Sequence, residues 1–239
     1  KLSFETVIKT LMGMESKSLS NELITAFDTE PEMPSTSAFV QQRYKIKPEA
    51  FKAVFDGFTS RLINNTPTEV RIFAIDGSDI QIATYPNDAT SYFPGTNGQK
   101  PYNLLHLNAL YNLNIHIYTD AIIQGGMDKN EHIALQKMVD NSDILKALVI
   151  ADRGYESFNS MAHIQKKGWF FLIRVKDGIN GIKNGLDLPA TDCFDTDICL
   201  KLTRKQTNEV KELLKDKNHY RFISATQPFD YLPLKNKNK

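Results

Sequence analysis

The most informative stretch of the chain is Ala147-Leu148-Val149-Ile150-Ala151-Asp152-Arg153-Gly154-Tyr155-Glu156. Its first five residues are apolar, and an apolar run of this length between polar segments is typical of a buried strand. Asp152 follows at the point where such a strand ends, and Gly154 lets the chain turn closely into the next element. The stretch therefore predicts a carboxylate held at the carboxyl edge of a buried sheet.

A second aspartate, Asp76, follows another apolar run, Val70–Ile75, and a short strand is predicted after it at Asp79–Thr84. We expect the strands that precede Asp76 and Asp152 to be neighbours, so that the two carboxylates lie close together. Carboxylate oxygens suit Mg²⁺ or Mn²⁺, and two such ions can activate an attacking oxygen and stabilise a leaving oxygen in phosphodiester cleavage. The alternative is that both are ordinary turn aspartates that cap loops.

Further strands and helices are predicted around these two runs. Apolar patterns predict strands at 104–111, 115–123 and 169–175, and helical spacing predicts helices at 130–139 and 157–167. The predicted order is β-β-β-α-β-α-β, in which sequential strands pair antiparallel before parallel αβ units follow. That order gives an α/β fold with a mixed sheet covered by helices, which is the layout of a ribonuclease H-like core.

The chain is predicted to contain three segments. Apolar residues at helical spacing predict a small helical N-terminal domain over residues 1–65, which we expect to pack on the next domain or to be hinged to it. Residues 66–180 hold the predicted sheet and form the catalytic core. The periodicity weakens over residues 181–239, which we predict to be the beginning of a β-rich insertion.

Composition limits the class of protein. The 239 residues are 41% hydrophobic, enough for a sizeable core, and two cysteines exclude a disulfide-dense scaffold and a four-cysteine zinc site. No apolar run approaches the roughly 20 residues that cross a bilayer, and no secretory signal opens the chain. We therefore expect a bacterial cytoplasmic protein without a membrane partner.

The charge is uneven although the net charge is only +1. Residues 200–239 contain ten lysines and arginines against four acidic residues, whereas the middle of the chain is rich in aspartate. Such a division suits a protein that holds a cation and an anionic polymer together. The alternative is a solvated lysine-rich end.

Several basic or amide side chains are candidates for DNA contact. They are Arg153, Gln99, Lys100, Arg174, Lys176, Arg43, Lys45 and Lys47. Arg153 can pair with a phosphate beside Asp152, and the others lie in the loop before 104–111, at the end of 169–175, or in the helical domain. The alternative for most of them is an ordinary solvated surface. We interpret Glu156 as a structural residue of the turn.

Four motifs of the chain together resemble a known family. They are Ile75-Asp76-Gly77-Ser78-Asp79, Tyr92-Phe93-Pro94-Gly95, Gln99-Lys100-Pro101-Tyr102 and Ala151-Asp152-Arg153-Gly154-Tyr155-Glu156. With them, about residues 1–230 look like the insertion-sequence-four family of DDE transposases. The resemblance implies that Asp76 ends the first strand and Asp152 the fourth strand of a ribonuclease H-like fold. It also implies that both aspartates bind the catalytic metal ions.

The resemblance implies a function as well. A DDE transposase cuts and joins the DNA of an insertion sequence at a two-metal site that holds Mg²⁺ or Mn²⁺, with water and then a DNA 3′-hydroxyl as the nucleophile. Its expected partners are double-stranded DNA, at the transposon ends and at the target, and a second copy of the protein in a dimer on DNA. We expect such a protein to associate with the nucleoid.

One motif of the family is missing from the sequence. The family's third acidic residue is a glutamate in the pattern Tyr-x₂-Arg-x₃-Glu-x₆-Lys, and the 239 residues contain no match. We expect that the chain stops before this carboxylate, so that it is part of a longer protein or of a decayed element. Two alternatives follow: an inactive, truncated or decayed relative that only binds DNA, and another ribonuclease H-like nuclease.

Overall fold

The computed structural model describes residues 2–28, 33–96, 98–179 and 181–234. The chain forms two compact units, residues 1–63 and residues 64–239. Among the described residues, no helix is both long enough and apolar enough to cross a membrane. The last five residues of the predicted insertion, 235–239, lie outside the described ranges.

The first unit is built from helices. They are α1 (Phe4–Met12), α2 (Leu19–Phe27), α3 (Thr36–Arg43) and α4 (Glu49–Asn64). A serine hydroxyl at the start of each of the first three helices accepts a backbone N–H of the first turn, which satisfies a donor that the helix leaves open. Val7, Leu23 and Phe39 form the buried core. The structure is therefore helical where the sequence predicts helices.

The second unit is built on a six-stranded sheet. Its strands are β1 (Arg71–Ile82), β2 (Tyr92–Phe93), β3 (Tyr102–Asn112), β4 (Ile117–Gly125), β5 (Ala147–Ala151) and β6 (Phe170–Ile173). β3 pairs antiparallel with β1, with β4 and with the short β2. β5 lies parallel to β1, and β6 lies parallel to β5. The predicted mixed sheet is confirmed, with the order β4-β3-β1-β5-β6 along its long strands.

The prediction of two separate strands at 70–75 and 79–84 is wrong. β1 runs from Arg71 to Ile82 without a break, because its pairing with β3 continues through Asp76 to Ile82. The second half of β1 is exposed, because β5 has ended there and β1 is paired on one side only. Its residues are therefore polar, and in sequence they resemble a turn. Asp76 therefore lies in the middle of a long strand and does not end it.

Helices α5 (Glu131–Asn141) and α6 (Phe158–Lys166) cover the sheet. A short 3₁₀ turn, Arg153–Tyr155, joins β5 to α6. Alternate residues of β1 and β5, including Phe73 and Val149, pack with Leu135 of α5 in a single buried cluster. This cluster also holds Tyr155, so the turn after β5 is anchored in the core by its aromatic ring.

The end of the second unit contains little β structure. Its elements are β7 (Lys201–Thr203), α7 (Asn208–Leu213) and β8 (Tyr220–Phe222), and β7 pairs with β8 in a two-stranded sheet. Residues 191–199 are all exposed, so the apolar residues among them have no sheet face to pack against. The described part of 181–239 is accordingly less rich in strands than the sequence predicts, and a separate insertion domain stays a prediction.

His163 ties the end of the chain to the two helices that cover the sheet. Its Nδ1 lies 2.9 Å from Asp140 of α5 and its Nε2 lies 2.9 Å from Asp230, while the Tyr231 ring packs 5.0 Å from its ring. Burial lowers the pKa of His163, but its hydrogen bonds to Asp140 and Asp230 raise the pKa by more, so the net change is upward.

This junction makes stability depend on pH. A raised pKa in the folded state gives stabilisation that is complete below the unfolded value of about 6.5 and is lost as the pH rises through the folded value. A tenfold gain in the proton affinity of His163 on folding would correspond to about 1.4 kcal/mol of stabilisation. His163→Gln should remove this contribution, so that urea unfolding between pH 5.5 and 8.5 loses this pH dependence.

The matched control is His219→Gln, because His219 pairs with Asp216 at an exposed site. It should leave the pH dependence as it is. If His163→Gln has the same pH profile as the unchanged chain, the junction does not contribute to stability in this range.

Candidate active site

Two aspartates and one arginine lie in one row across β1, β5 and β6, at the level where β5 and β6 end. β1 and β5 pair in parallel with an offset of 76 residues, from Arg71 opposite Ala147 onward, and the same offset places Asp152 opposite Asp76. The register of β5 with β6 places Arg174 opposite Asp152. Neighbouring strands are about 4.8 Å apart, so the two aspartates are close in space, as the sequence predicts for neighbouring strands.

Local hydrogen bonds hold one oxygen of each aspartate. Asp76 Oδ1 accepts the N–H of Gly77 at 2.9 Å, and Asp152 Oδ1 accepts the N–H of Gly154 at 2.7 Å, where it caps the 3₁₀ turn. Neither Oδ2 accepts a hydrogen bond from the described residues. Asp152 thus acts as a cap residue, as in the alternative interpretation, whereas Asp76 lies within β1, and each still presents one oxygen to a ligand.

Basic side chains surround the end of β5. Arg153 is exposed on the 3₁₀ turn beside Asp152, and Arg174 and Lys176 are exposed just after β6. The N–H of Lys176 donates to Glu156 Oε2 at 2.8 Å, and Glu156 also accepts the N–H of Ile182. Glu156 is therefore a structural residue, as the sequence indicates, since its carboxylate is occupied by two backbone donors.

The other predicted DNA contacts lie elsewhere. Gln99 and Lys100 are exposed in the loop before β3, and the first residues of β3 pair with the far end of β1. At about 3.3 Å per residue, that end is about 20 Å along the strand from Asp76. Arg43 ends α3 of the first unit, and Lys45 and Lys47 follow it, all three exposed to solvent.

Two functional candidates were missed from the sequence, Glu131 and Tyr155. The Tyr155 side chain is buried, and its hydroxyl has no hydrogen-bond partner among the described residues. Burial raises the pKa of Tyr155, and the negative charges of Glu131, Asp76 and Asp152 raise it further. Each of these three carboxylates therefore lies near enough to Tyr155 for its charge to act on the hydroxyl. Only the position of Tyr155 directly after Asp152-Arg153-Gly154 could have suggested it.

Glu131 reaches the site from the first turn of α5. A Cβ added at Gly77 would lie 2.6 Å from Glu131 Oε1 and 2.6 Å from Nε2 of His106, so both side chains lie directly over Gly77. His106 is buried, and its Nδ1 is 2.6 Å from Asp79 Oδ1, which also pairs with Lys129. His106 lowers the pKa of Asp79 by hydrogen bonding, and Lys129 lowers it further.

The donors present fit a divalent cation in type, though incompletely in number. Two carboxylate oxygens without a hydrogen bond are hard ligands of the kind that Mg²⁺ and Mn²⁺ prefer. A buried Tyr155 hydroxyl without a partner also indicates that polar groups converge here. As the side chains stand, no three histidine, cysteine, aspartate or glutamate residues within the described ranges are grouped to hold a metal ion.

Gly77→Ala tests the packing around Asp76. The added Cβ would collide with the ring of His106, which is buried and held by Asp79, so we expect a loss of about 1–3 kcal/mol in the free energy of unfolding. This exceeds the gain of about 0.4–1 kcal/mol from a less flexible unfolded chain. Urea unfolding followed by the fluorescence of Trp169, the single tryptophan and a core residue, measures the change.

The control for this change is Gly57→Ala in α4, where an added Cβ would meet nothing within 4 Å. The transition that Trp169 reports should stay where it is in this variant. A Gly77→Ala chain as stable as the unchanged one would show that the contact over Gly77 is not tight.

Comparison with known proteins identifies the family of the chain. No curated protein matches the sequence. Among solved structures, the Drosophila P element transposase strand transfer complex is similar with 10% identity and a TM-score of 0.25, over 71% of this chain and 45% of that one. This chain thus spans less than half of that protein, and a TM-score so low carries no structural argument. The sequence model of the transposase DDE domain matches residues 67–233, more than half of the chain, and the chain therefore belongs to this family of DDE-type transposase enzymes.

Proposed function

We propose that this chain is the metal-dependent catalytic part of a transposase that cleaves and joins DNA strands of an insertion sequence. One observation supports the proposal: the parallel register of β1 with β5, continued by two residues, places Asp152 opposite Asp76 within a transposase DDE domain. The family match favours a transposase over another nuclease of similar fold. The strand order β4-β3-β1-β5-β6 supports assignment of the second unit to the ribonuclease H-like class.

Transposase DDE domains use divalent metal ions. We assign Asp76 and Asp152 as the residues that hold them, through the oxygens that accept no hydrogen bond within the described ranges. Bound Mg²⁺ or Mn²⁺ would supply activation of the attacking oxygen and stabilisation of the leaving oxygen at phosphorus. Because Gly77 and Gly154 hold the other oxygen of each carboxylate, both side chains keep one orientation before a ligand arrives.

The basic residues around the carboxylates would hold the DNA backbone. Arg153 and Arg174 flank Asp152, so they can pair with phosphate oxygens next to the bond that is cut. Burial lowers the pKa of His132 at the start of α5, and the positive charge of Lys176 lowers it as well. Lys176 therefore lies near the start of this helix. Gln99 and Lys100, about 20 Å along β1, would contact a more distant part of the same duplex.

The proposal includes the partners and the setting of the reaction. The DNA is double-stranded, at the element's ends and at its target, and two copies of the protein act together on it. The location that we propose is bacterial and nucleoid-associated, where such DNA lies. The four motifs resemble the insertion-sequence-four family of transposases. We assign the chain to the catalytic part of such a protein, without the glutamate motif.

A second candidate function is DNA binding without chemistry. The absence of Tyr-x₂-Arg-x₃-Glu-x₆-Lys from the 239 residues favours it, because an active site with two carboxylates lacks the family's third one. In this case the chain would bind duplex DNA and leave it uncut in the presence of Mn²⁺.

Asp76→Asn and Asp152→Asn separate the two functions. Each change keeps the size of the side chain and removes one charge, so cleavage with Mn²⁺ of DNA that carries the element's ends should fall by at least about 10³-fold, as for loss of a main electrostatic group of an active site. Folding should persist, because Asp152 and Asp76 are both exposed. Cleavage is followed on gels, and folding by Trp169 fluorescence.

Asp128→Asn, an exposed aspartate after β4, is the matched control and should keep full activity. Undiminished cleavage by both Asp76→Asn and Asp152→Asn would exclude the proposed metal site. An unchanged chain that binds the DNA and does not cut it would support the second function.

Charge reversal at Arg43, Lys45 and Lys47 tests the DNA role of the first unit. If all three meet phosphates, the triple glutamate variant should bind duplex DNA more weakly, and the slope of log affinity against log salt should fall by about 0.9 for each lost contact. Fluorescence anisotropy at several salt concentrations measures both quantities. A matched triple reversal at Lys9, Lys17 and Arg61, exposed in the same unit, controls for net charge. Equal effects in the two variants would contradict a specific role for Arg43, Lys45 and Lys47.

A further inference from the structure

We infer that a cavity beside the start of α6 binds a terminal phosphate group, that is, a phosphate monoester. The cavity has a volume of about 380 Å³ and lies between the start of α6 and strand β8. Most of its walls come from residues 181–227, to which the proposed function gives no role. The inference concerns this ligand group and does not rest on the metal site.

The charge of the cavity walls is the first argument. Lys176, Lys217 and Arg221 line the cavity, and Glu156 is the one acidic side chain among the described lining residues, so the lining has a formal net charge of +2. No carboxylate within the described ranges, that of Glu156 included, forms a salt bridge with any of the three cations. A phosphate monoester carries a charge of about −1.5 to −2 at pH 7, which matches this excess better than the single charge of a phosphodiester does.

The environment of Arg221 is the second argument. Its guanidinium donates to the backbone carbonyls of Lys217, Tyr220 and Asn184, which are neutral acceptors. Burial lowers the pKa of Arg221, and the charge of Asp216 raises it by less. A cation that is partly removed from water without a paired carboxylate is costly, so an anion that enters the cavity would relieve this cost.

The start of α6 is the third argument. Ser157 stands at the capping position of this nine-residue helix, but its side chain makes no hydrogen bond to the first turn. Ser157 and Phe158 both line the cavity, so the N-terminal end of the helix borders the same space as the three cations. The backbone N–H groups and the partial positive charge of a helix N-terminus favour an anion such as phosphate.

The size of the cavity leaves room for more than the phosphate. Its volume lies in the range of small-ligand sites, about 300–1,000 Å³, and the aromatic residues Phe158 and Tyr220 are part of the lining. The group that carries the phosphate can therefore pack against an apolar wall. A phosphate monoester of this kind is found at the 5′ end of a DNA strand and in a free nucleotide.

The test compares two duplexes of identical sequence, one with 5′-phosphates and one with 5′-hydroxyls, each labelled with fluorescein at one 3′ end. By fluorescence anisotropy, the 239-residue chain should bind the phosphorylated duplex at least about tenfold more tightly, the gain expected from one additional charge-assisted hydrogen bond. Lys217→Gln should remove most of this preference. Lys211→Gln, which removes an exposed lysine of α7 outside the cavity, is the matched control and should keep it.

A second arm distinguishes the two sources of the phosphate. AMP and adenosine are added in turn as competitors of the phosphorylated duplex. If AMP abolishes the preference for the 5′-phosphate at concentrations at which adenosine has no effect, the cavity accepts a free nucleotide. If neither competes while the preference persists, the ligand is the phosphorylated end of a DNA strand.

Two results would overturn the inference. One is equal affinity for the two duplexes together with no effect of AMP, which would show that the cavity selects no monoester. The other is a preference that Lys217→Gln and Lys176→Gln both leave unchanged, since the phosphate would then bind elsewhere. Folding of each variant is checked by Trp169 fluorescence, and if Lys217→Gln does not fold, Lys176→Gln alone is judged by the same ratio of affinities.

Discussion

The parallel pairing of β1 with β5 is the interaction on which the site depends. The two strands are separated by more than 60 residues in sequence, and only their register brings Asp152 opposite Asp76. A shift by one residue would turn every side chain of β5 to the other face of the sheet, so the buried side chains Phe73 and Val149 fix this register. The packing that fixes the register of β1 and β5 therefore also fixes the positions of the two carboxylates.

The site places two like charges near each other at an exposed part of the sheet. The charges of Asp76, Asp152 and Glu131 all raise the pKa of the buried Tyr155 hydroxyl. Proteins commonly tolerate locally unfavourable arrangements at functional sites, and the surrounding structure stabilises these sites. Here the support is the apolar cluster beneath the sheet, which includes the ring of Tyr155 itself.

Much of the fold could be predicted because its signals are local. β5 was predicted to the residue, and α5 and α6 within two residues at each end, since apolar periodicity and the capping Asn130 are visible in sequence. β1 could not be predicted in full, because Asp76-Gly77 resembles a turn until β3 is seen to pair alongside it. The place of Glu131 over Gly77 could not be predicted either, because in sequence it is an ordinary acidic residue of a helix start.

The carboxylate of Glu156 has a consequence for how this domain can vary. By accepting the N–H groups of Lys176 and Ile182, it clamps the chain just after β6 to the turn that follows Asp152. Whatever length of polypeptide comes after residue 182 therefore departs from a fixed point, and the entropy of closing a longer loop grows only slowly with its length. The segment between this clamp and Asp230, whose carboxylate pairs with His163, can accordingly change in length or sequence without disturbing the strands that carry the aspartates.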